Sequence, residues 1–316
     1  MDIGRLTAFQ RLALATTGIT YFLILVGGLV RASGAGLGCP DWPRCFGTWI
    51  PPLSAASLPP EFDRADFNAA LMWTEYLNRL LGVAVGLSIL ATTVSAWRHH
   101  RREPHIVGPV AAALLLTGYQ GWLGGRVVAH ELAPWIVTAH LIVALIIVSL
   151  LLYATVASFF ARRGVALAVP SERRLLVGAV AVVIVITLCQ VAIGTRVRGH
   201  VDIALASDTP RAIALAAAGV WDQWHREVAV AVASGTIGLL ILTRLRDPHL
   251  RPLVAAAALA AAFAVLQVGL GFVLAYAALP PTAQVAHLFV GSLLLGAQTV
   301  LFLLARWLSP QTTGIS

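Results

Sequence analysis

Two short segments carry residue types suited to redox chemistry. "EYLNR" (75–79) and "DQWHR" (222–226) each keep an acid and an arginine at the start of an apolar stretch that should not tolerate them. The residue just before the arginine is Asn78 in the first copy and His225 in the second. His140, in "TAHL", and His287, in "VAHL", follow those two positions by 62 residues each. Ionisable groups inside apolar stretches are costly and normally face a bundle interior or water. Two neutral imidazoles at one depth on facing helices can bracket a flat iron porphyrin. His225 and His287 are therefore expected to ligate a haem, with His140 the one imidazole at the matching level of the first half. Each histidine could instead simply bond a neighbouring helix, but a pair set in register by a duplication favours ligation. Zinc would need further ligands at that depth, and the second half offers none of suitable type.

The arginines suit the same chemistry. Arg79 and Arg226 directly follow the candidate ligand positions, while Arg31, Arg126, Arg196 and Arg198 close other helix ends. Guanidinium groups bind carboxylates such as haem propionates bidentately. Snorkelling to lipid headgroups is the alternative, and it suits Arg126 and Arg196 equally well.

Such residues need helices to hold them. Of 316 residues 59% are hydrophobic and 11% charged, which excludes a soluble globular chain and predicts a polytopic membrane protein. Eight apolar stretches reach the roughly 20 residues a span requires: 12–30, 76–97, 107–127, 135–159, 175–195, 224–243, 253–276 and 284–307. No cleavable leader is expected, because the first apolar run is long enough to span. The net charge of +8 comes from 22 arginines and no lysine, gathered in a few loops, so it sets topology and not nucleic-acid binding. Arg5 and Arg11, "WRHHRREPH", "ARRG", "SERR" and "TRLRDPHLR" mark the cytoplasmic side. Both termini are then cytoplasmic, and loops 31–75, 126–135, 196–223 and 277–283 face outward. His99, His100, His105 and His249 fall in the basic loops, His130 and His200 in outer ones.

The chain also repeats itself. A shift of 147 residues aligns 75–143 with 222–290, pairing Arg79 with Arg226, Gln120 with Gln267, Gly124 with Gly271, Pro134 with Pro281 and His140 with His287. Shared polar residues in register are hard to attribute to chance. Four helices per repeat return the chain to its starting side, so the halves are parallel. The expected fold is all-α: eight transmembrane helices in two pseudo-symmetric four-helix bundles, 1–160 and 161–316, with an extended outer loop over 31–75. Gln120 and Gln267 are expected to bond between helices, and Cys189 to be a small packing residue.

"GGLVRASGAGLGCPDWPRC" (27–45), "EYLNR", the histidines of "TAHL" and "VAHL", and the four-plus-four duplication together resemble the haem A synthase family. The resemblance covers essentially the whole chain, and "GLGCPDWP" is its most specific part. It implies a cytoplasmic-membrane enzyme that oxidises the C8 methyl of haem O to a formyl group by successive hydroxylations, giving haem A for terminal oxidases. It also implies haem b as cofactor, held in the C-terminal half by His225 and His287 with Arg226 nearby. The N-terminal half would take haem O as substrate, with His140, Asn78 and Arg79 around it and Glu75 as the functional carboxylate. Cys39 and Cys45 match the family's cysteine pair in the first outer loop and are expected to form a disulfide, as a staple or as a redox relay. A haem O synthase and oxidase assembly factors are the partners the family context implies, beside membrane lipid.

One position departs from the pattern. The family's Glu-x-x-His-Arg is Glu-x-x-Asn-Arg here, and asparagine is a poor iron ligand. Either haem O is held by His140 alone and the enzyme is active, or the first half is degenerate and the protein is a haem-binding electron carrier. The retained Glu75, Arg79, His140 and both cysteines favour activity. Glu75, three residues before Asn78, suits a proton acceptor or a stabiliser of positive charge; a helix-start charge is the alternative, and it fits Asp222 well. A transporter built from parallel repeats is disfavoured, because the polar residues cluster at one depth.

Overall fold

The computed structural model describes residues 6–161 and 173–308. Arg5, Arg162, Arg163, Ser171 and Glu172 of the basic segments lie outside the described residues. Among the described residues eight long helices follow one another: α1 Ala8–Ala32, α2 Ala69–His100, α3 Pro104–Ala129, α4 Pro134–Ala161, α5 Arg174–Ala206, α6 Val220–Arg246, α7 Arg251–Tyr276 and α8 Pro281–Trp307. All eight are long and apolar enough to cross a membrane, and the chain is a multi-pass membrane protein.

The helix ends follow local chemistry. Thr7 and Gln10 form a capping box at α1, and Asn68 accepts the Leu71 N–H at 3.1 Å to start α2. Proline opens α3, α7 and α8 within the first two positions, where its missing N–H costs nothing. Two helices outrun the apolar pattern. α2 begins at Ala69 instead of 76 because the Asn68 cap, not hydropathy, sets its start. α5 runs on to Ala206 instead of 195, its last turns supported by an Arg198–Asp202 ion pair four residues apart. Arg196, Arg198 and His200 are thus helical, not in a loop, and His99, His100 and His105 also lie on helices.

The turns α3–α4 and α7–α8 share one form. Glu131 and Leu132, then Ala278 and Leu279, take consecutive left-handed conformations, at positions 147 residues apart. Each such residue costs roughly 1 kcal/mol, so the shape persists only where the flanking helices fix it.

Packing joins α1 to α2 and α4, and α3 to α2 and α4; likewise α5 to α6 and α8, and α7 to α6 and α8. α8 also meets α1 and α4, and α4 meets α5. α8 is the most buried helix. Alanines 256, 257, 260, 261 and 264 give α7 a small-residue stripe that lets neighbouring backbones approach closely. The largest apolar core, including Phe9, Ile106, Phe160, Leu250, Leu301 and Trp307, lies at the end of the molecule away from His140, His225 and His287. Leu77, Leu80, Val83, Leu87, Leu90 and Val94 form an exposed stripe on α2, a face made for lipid. Rigid apolar packing at one end leaves the histidine end free for polar residues.

Candidate functional site

His225 and His287 lie in the second turns of α6 and α8 and face one another. Their ring centroids are 6.2 Å apart with planes at 57°. Two imidazoles on opposite faces of one iron would stand at nearly this separation, with roughly 2 Å per iron–nitrogen bond and roughly 1 Å from each nitrogen to its ring centre. Nδ1 of each ring is buried with no hydrogen-bond partner in the protein, a costly condition that ligation or a bound group relieves. The other two helices of that half are shaped around the rings. A Cβ at Gly194 on α5 would sit 2.9 Å from His225 Cε1, and one at Gly271 on α7 would sit 3.8 Å from His287 Cε1. Gln190 donates to the His225 carbonyl at 2.7 Å, and Gln267 lies against Gly291 on α8. The residues present fit a porphyrin held between two imidazoles. Among the described residues no three His, Cys, Asp or Glu side chains gather to hold a bare metal ion.

The first half repeats this arrangement with one change. His140 on α4 has a buried, unpartnered Nδ1, its carbonyl accepts from Gln120 at 2.8 Å, and Gly124 on α3 abuts its Cε1 at 3.7 Å. Asn78 on α2 presents a buried Oδ1, also without partner. Gly27, which a shift of 167 residues sets on Gly194 by aligning "GGLVRA" (27–32) with "GTRVRG" (194–199), meets nothing within 4 Å. The amide is too short to fill the space an imbedded imidazole takes in the second half.

What most separates the halves is the loop between α1 and α2. Cys39 and Cys45 are joined by a disulfide and fully buried. Glu75, 4% exposed, accepts the Cys39 N–H on Oε2 at 2.8 Å. Arg79 donates to Glu75 Oε1 and to the carbonyls of Asp41 at 2.7 Å, Arg44 at 2.8 Å and Cys39 at 3.2 Å. The sequence makes Arg79 a candidate partner for a propionate; in the structure its guanidinium is spent on Glu75 and the loop. The loop then reaches α3, where a Cβ on Gly125 would sit 2.8 Å from the Trp42 ring. Pro40, Asp41 and Trp42 line a cavity of about 450 Å³ with Trp122, Gly125 and Arg126. In the second half Asp222 and Arg226 pair at 2.7 Å, but Arg226 is half exposed.

The remaining polar residues scatter. His130 stands at the end of α3 beside Arg126 and edge-on to Trp135. His200 is exposed on α5, and His100 pairs with Glu103. Cys189 is exposed on α5, so it is not the buried packing residue that its apolar surroundings suggested. Sequence reasoning missed Gln190 and Asp202 and gave Trp42 no role of its own within "GLGCPDWP". Asp202 carried a signal in its spacing of four from Arg198.

Residues 10–299 match the family model COX15-CtaA, described as cytochrome oxidase assembly protein. The chain is 34% identical over 143 residues to the Heme A synthase of Shewanella oneidensis, covering 43% of this chain and 42% of that protein. It is 34% identical over 126 residues to that of Geobacillus kaustophilus (39% and 35%), and 28% over 148 residues to that of Rhizobium etli (40% of each). The aligned part spans about two-fifths of the length of these relatives. With the family model matching nearly end to end over a structure of eight membrane helices, the chain belongs to the COX15-CtaA family of cytochrome oxidase assembly proteins.

Proposed function

We propose that this chain oxidises the C8 methyl of haem O to a formyl group, giving haem A for terminal oxidases. The observation that carries the reading is the facing His225–His287 pair, its form repeated by Asn78 and His140, in a relative of Heme A synthases. Residues 1–160 form the substrate half and 161–316 the cofactor half. The two rings of helix packing and the repeated left-handed turn support that division. Arg98, Arg101, Arg102, Arg244, Arg246 and Arg251 gather at one side and support cytoplasmic termini.

In the cofactor half His225 and His287 hold haem b, which supplies one-electron redox chemistry when bound. Gly194 and Gly271 leave the imidazoles room to turn toward the iron, Gln190 fixes the α6 backbone at His225, and Arg226 stands at the rim. In the substrate half His140 orients haem O alone, opposite the Asn78 amide. One strong ligand suits a substrate that must leave. Glu75 and Arg79 hold the Cys39–Cys45 loop across α2 and α3 above that slot and keep bulk water out. Glu75, held in place by Cys39 and Arg79, is the carboxylate set to accept a proton or to face developing positive charge. A haem O synthase would deliver the substrate, and oxidase assembly factors would receive the product.

Asn78 favours a second reading, a haem b electron carrier whose first half no longer turns over. Co-expression with a haem O synthase separates the two. Extracted pigment containing haem A supports the oxidase; haem b and unchanged haem O support the carrier.

A further inference from the structure

Gly194 and Arg198 lie four residues apart on α5 and share a face. That face looks into the His225–His287 slot, because Gly194 abuts the His225 ring. Arg198 stands roughly 6 Å further along the helix, toward the histidine-bearing end of the molecule. Its Nη1 donates to the side-chain oxygen of Gln284, three residues before His287 on α8, and its Nη2 meets Asp202 Oδ1 at 2.7 Å. The other oxygen of Asp202 takes Arg31 of α1 at 2.7 Å. Gly28, one turn earlier on α1, packs against Val285 and Leu288 of α8, which brings Arg31 from the first half to this end of the second.

The cluster is incomplete as it stands. Nε of Arg31 and Nε of Arg198 are both buried without a partner. Arg211 lies within electrostatic reach of Arg198 and donates to the Leu279 carbonyl at 3.3 Å. Arg31 and Arg198 thus share the single carboxylate of Asp202, and one positive charge of the pair goes unmatched in a partly desolvated place. The other arginines near a ligand position are engaged elsewhere, Arg79 by the disulfide loop and Arg226 by Asp222.

We propose that Arg198 and Arg31, held together by Asp202, bind the two propionate carboxylates of the porphyrin clasped by His225 and His287. A residue of the first half then completes the cofactor site of the second. The assignment rests on the haem reading of that slot. It follows from register, since a porphyrin centred at the level of Gly194 points its carboxylates to the level of Arg198. Arginine's planar fork matches such groups.

The test titrates full-length protein, produced without haem, with haem b and with haem b dimethyl ester, whose propionates carry no charge. Wild-type protein is expected to bind the ester roughly tenfold to a hundredfold more weakly than the free acid. R198Q and R31Q are expected to weaken free-acid binding by a similar factor and to lose the discrimination. R198Q should also lower the reduction potential of the bound haem, because a positive charge near the iron is gone. If R198Q fails to fold, the wild-type comparison decides alone. Equal wild-type affinity for acid and ester, with a low-spin spectrum, would overturn the clamp and leave the haem reading standing; arginines serving lipid headgroups give that result. Wild-type protein that takes up neither form would end the haem reading and the clamp with it.

Discussion

At the residue scale the site turns on how much space faces each ring. Gly194 is the sharpest case, since a methyl there would sit 2.9 Å from the His225 ring. Gly194→Ala is expected to turn the imidazole and abolish the low-spin haem spectrum, while Gly27→Ala, with nothing within 4 Å, leaves it unchanged. Equal spectra for the two variants would show that His225 does not need its present pose. Asn78→His is the complementary change. It supplies the missing imidazole opposite His140, and the expected outcome is a second low-spin haem per chain with slower release of the porphyrin. Glu75→Ala is expected to keep haem b and to abolish haem A formation; unchanged product would remove Glu75 from the chemistry.

At the element scale the two starts of α2 and α6 show how one sequence motif serves two ends. Both pair an acid with an arginine four residues on, yet only the first pair is buried under a loop. Removing one partner of a buried ion pair strands the other, at about 3 kcal/mol or more, whereas an exposed pair contributes about 0.5 kcal/mol. Arg79→Ala is therefore expected to free the 39–45 loop and destabilise the protein, and Arg226→Ala to change stability little. Limited proteolysis within the 46–68 segment and thermal unfolding in detergent check this. Similar behaviour of the two variants would mean that the loop is not held by the guanidinium.

At the scale of the whole molecule, packing is uneven. The apolar core joins both halves at one end, and α8 runs through the middle of it. Trp307, 1% exposed, packs edge-on to Tyr153 and Phe160 of α4 there. Trp307→Ala should cost about 3–5 kcal/mol and loosen the halves without changing the haem spectrum. A lost spectrum at unchanged stability would mean that the core end and the histidine end are not independent. A fluorescent-protein fusion at the C terminus is expected to fluoresce, as a cytoplasmic fusion does. A dark fusion, with an active periplasmic reporter at the same point, would invert the orientation.

Composition and hydropathy alone determined the eight helices, because a chain in lipid must satisfy its backbone internally and has few other ways to do so. The duplication and the polar residues standing against apolar surroundings made His140, His225 and His287 visible, since each is a costly exception to a strong rule. Helix ends such as Ala69 and Ala206 escaped, being set by a cap and an ion pair and not by hydropathy. Only the tertiary structure decided which arginines are free. Arg79 and Arg198 look alike in the sequence, each near the end of an apolar stretch. One is consumed by carbonyls of a loop 35 to 40 residues away in the chain, and the other meets a carboxylate shared with a different helix. A guanidinium's partners are set by what folds within a few ångströms of it, and that distance is not written in the order of residues.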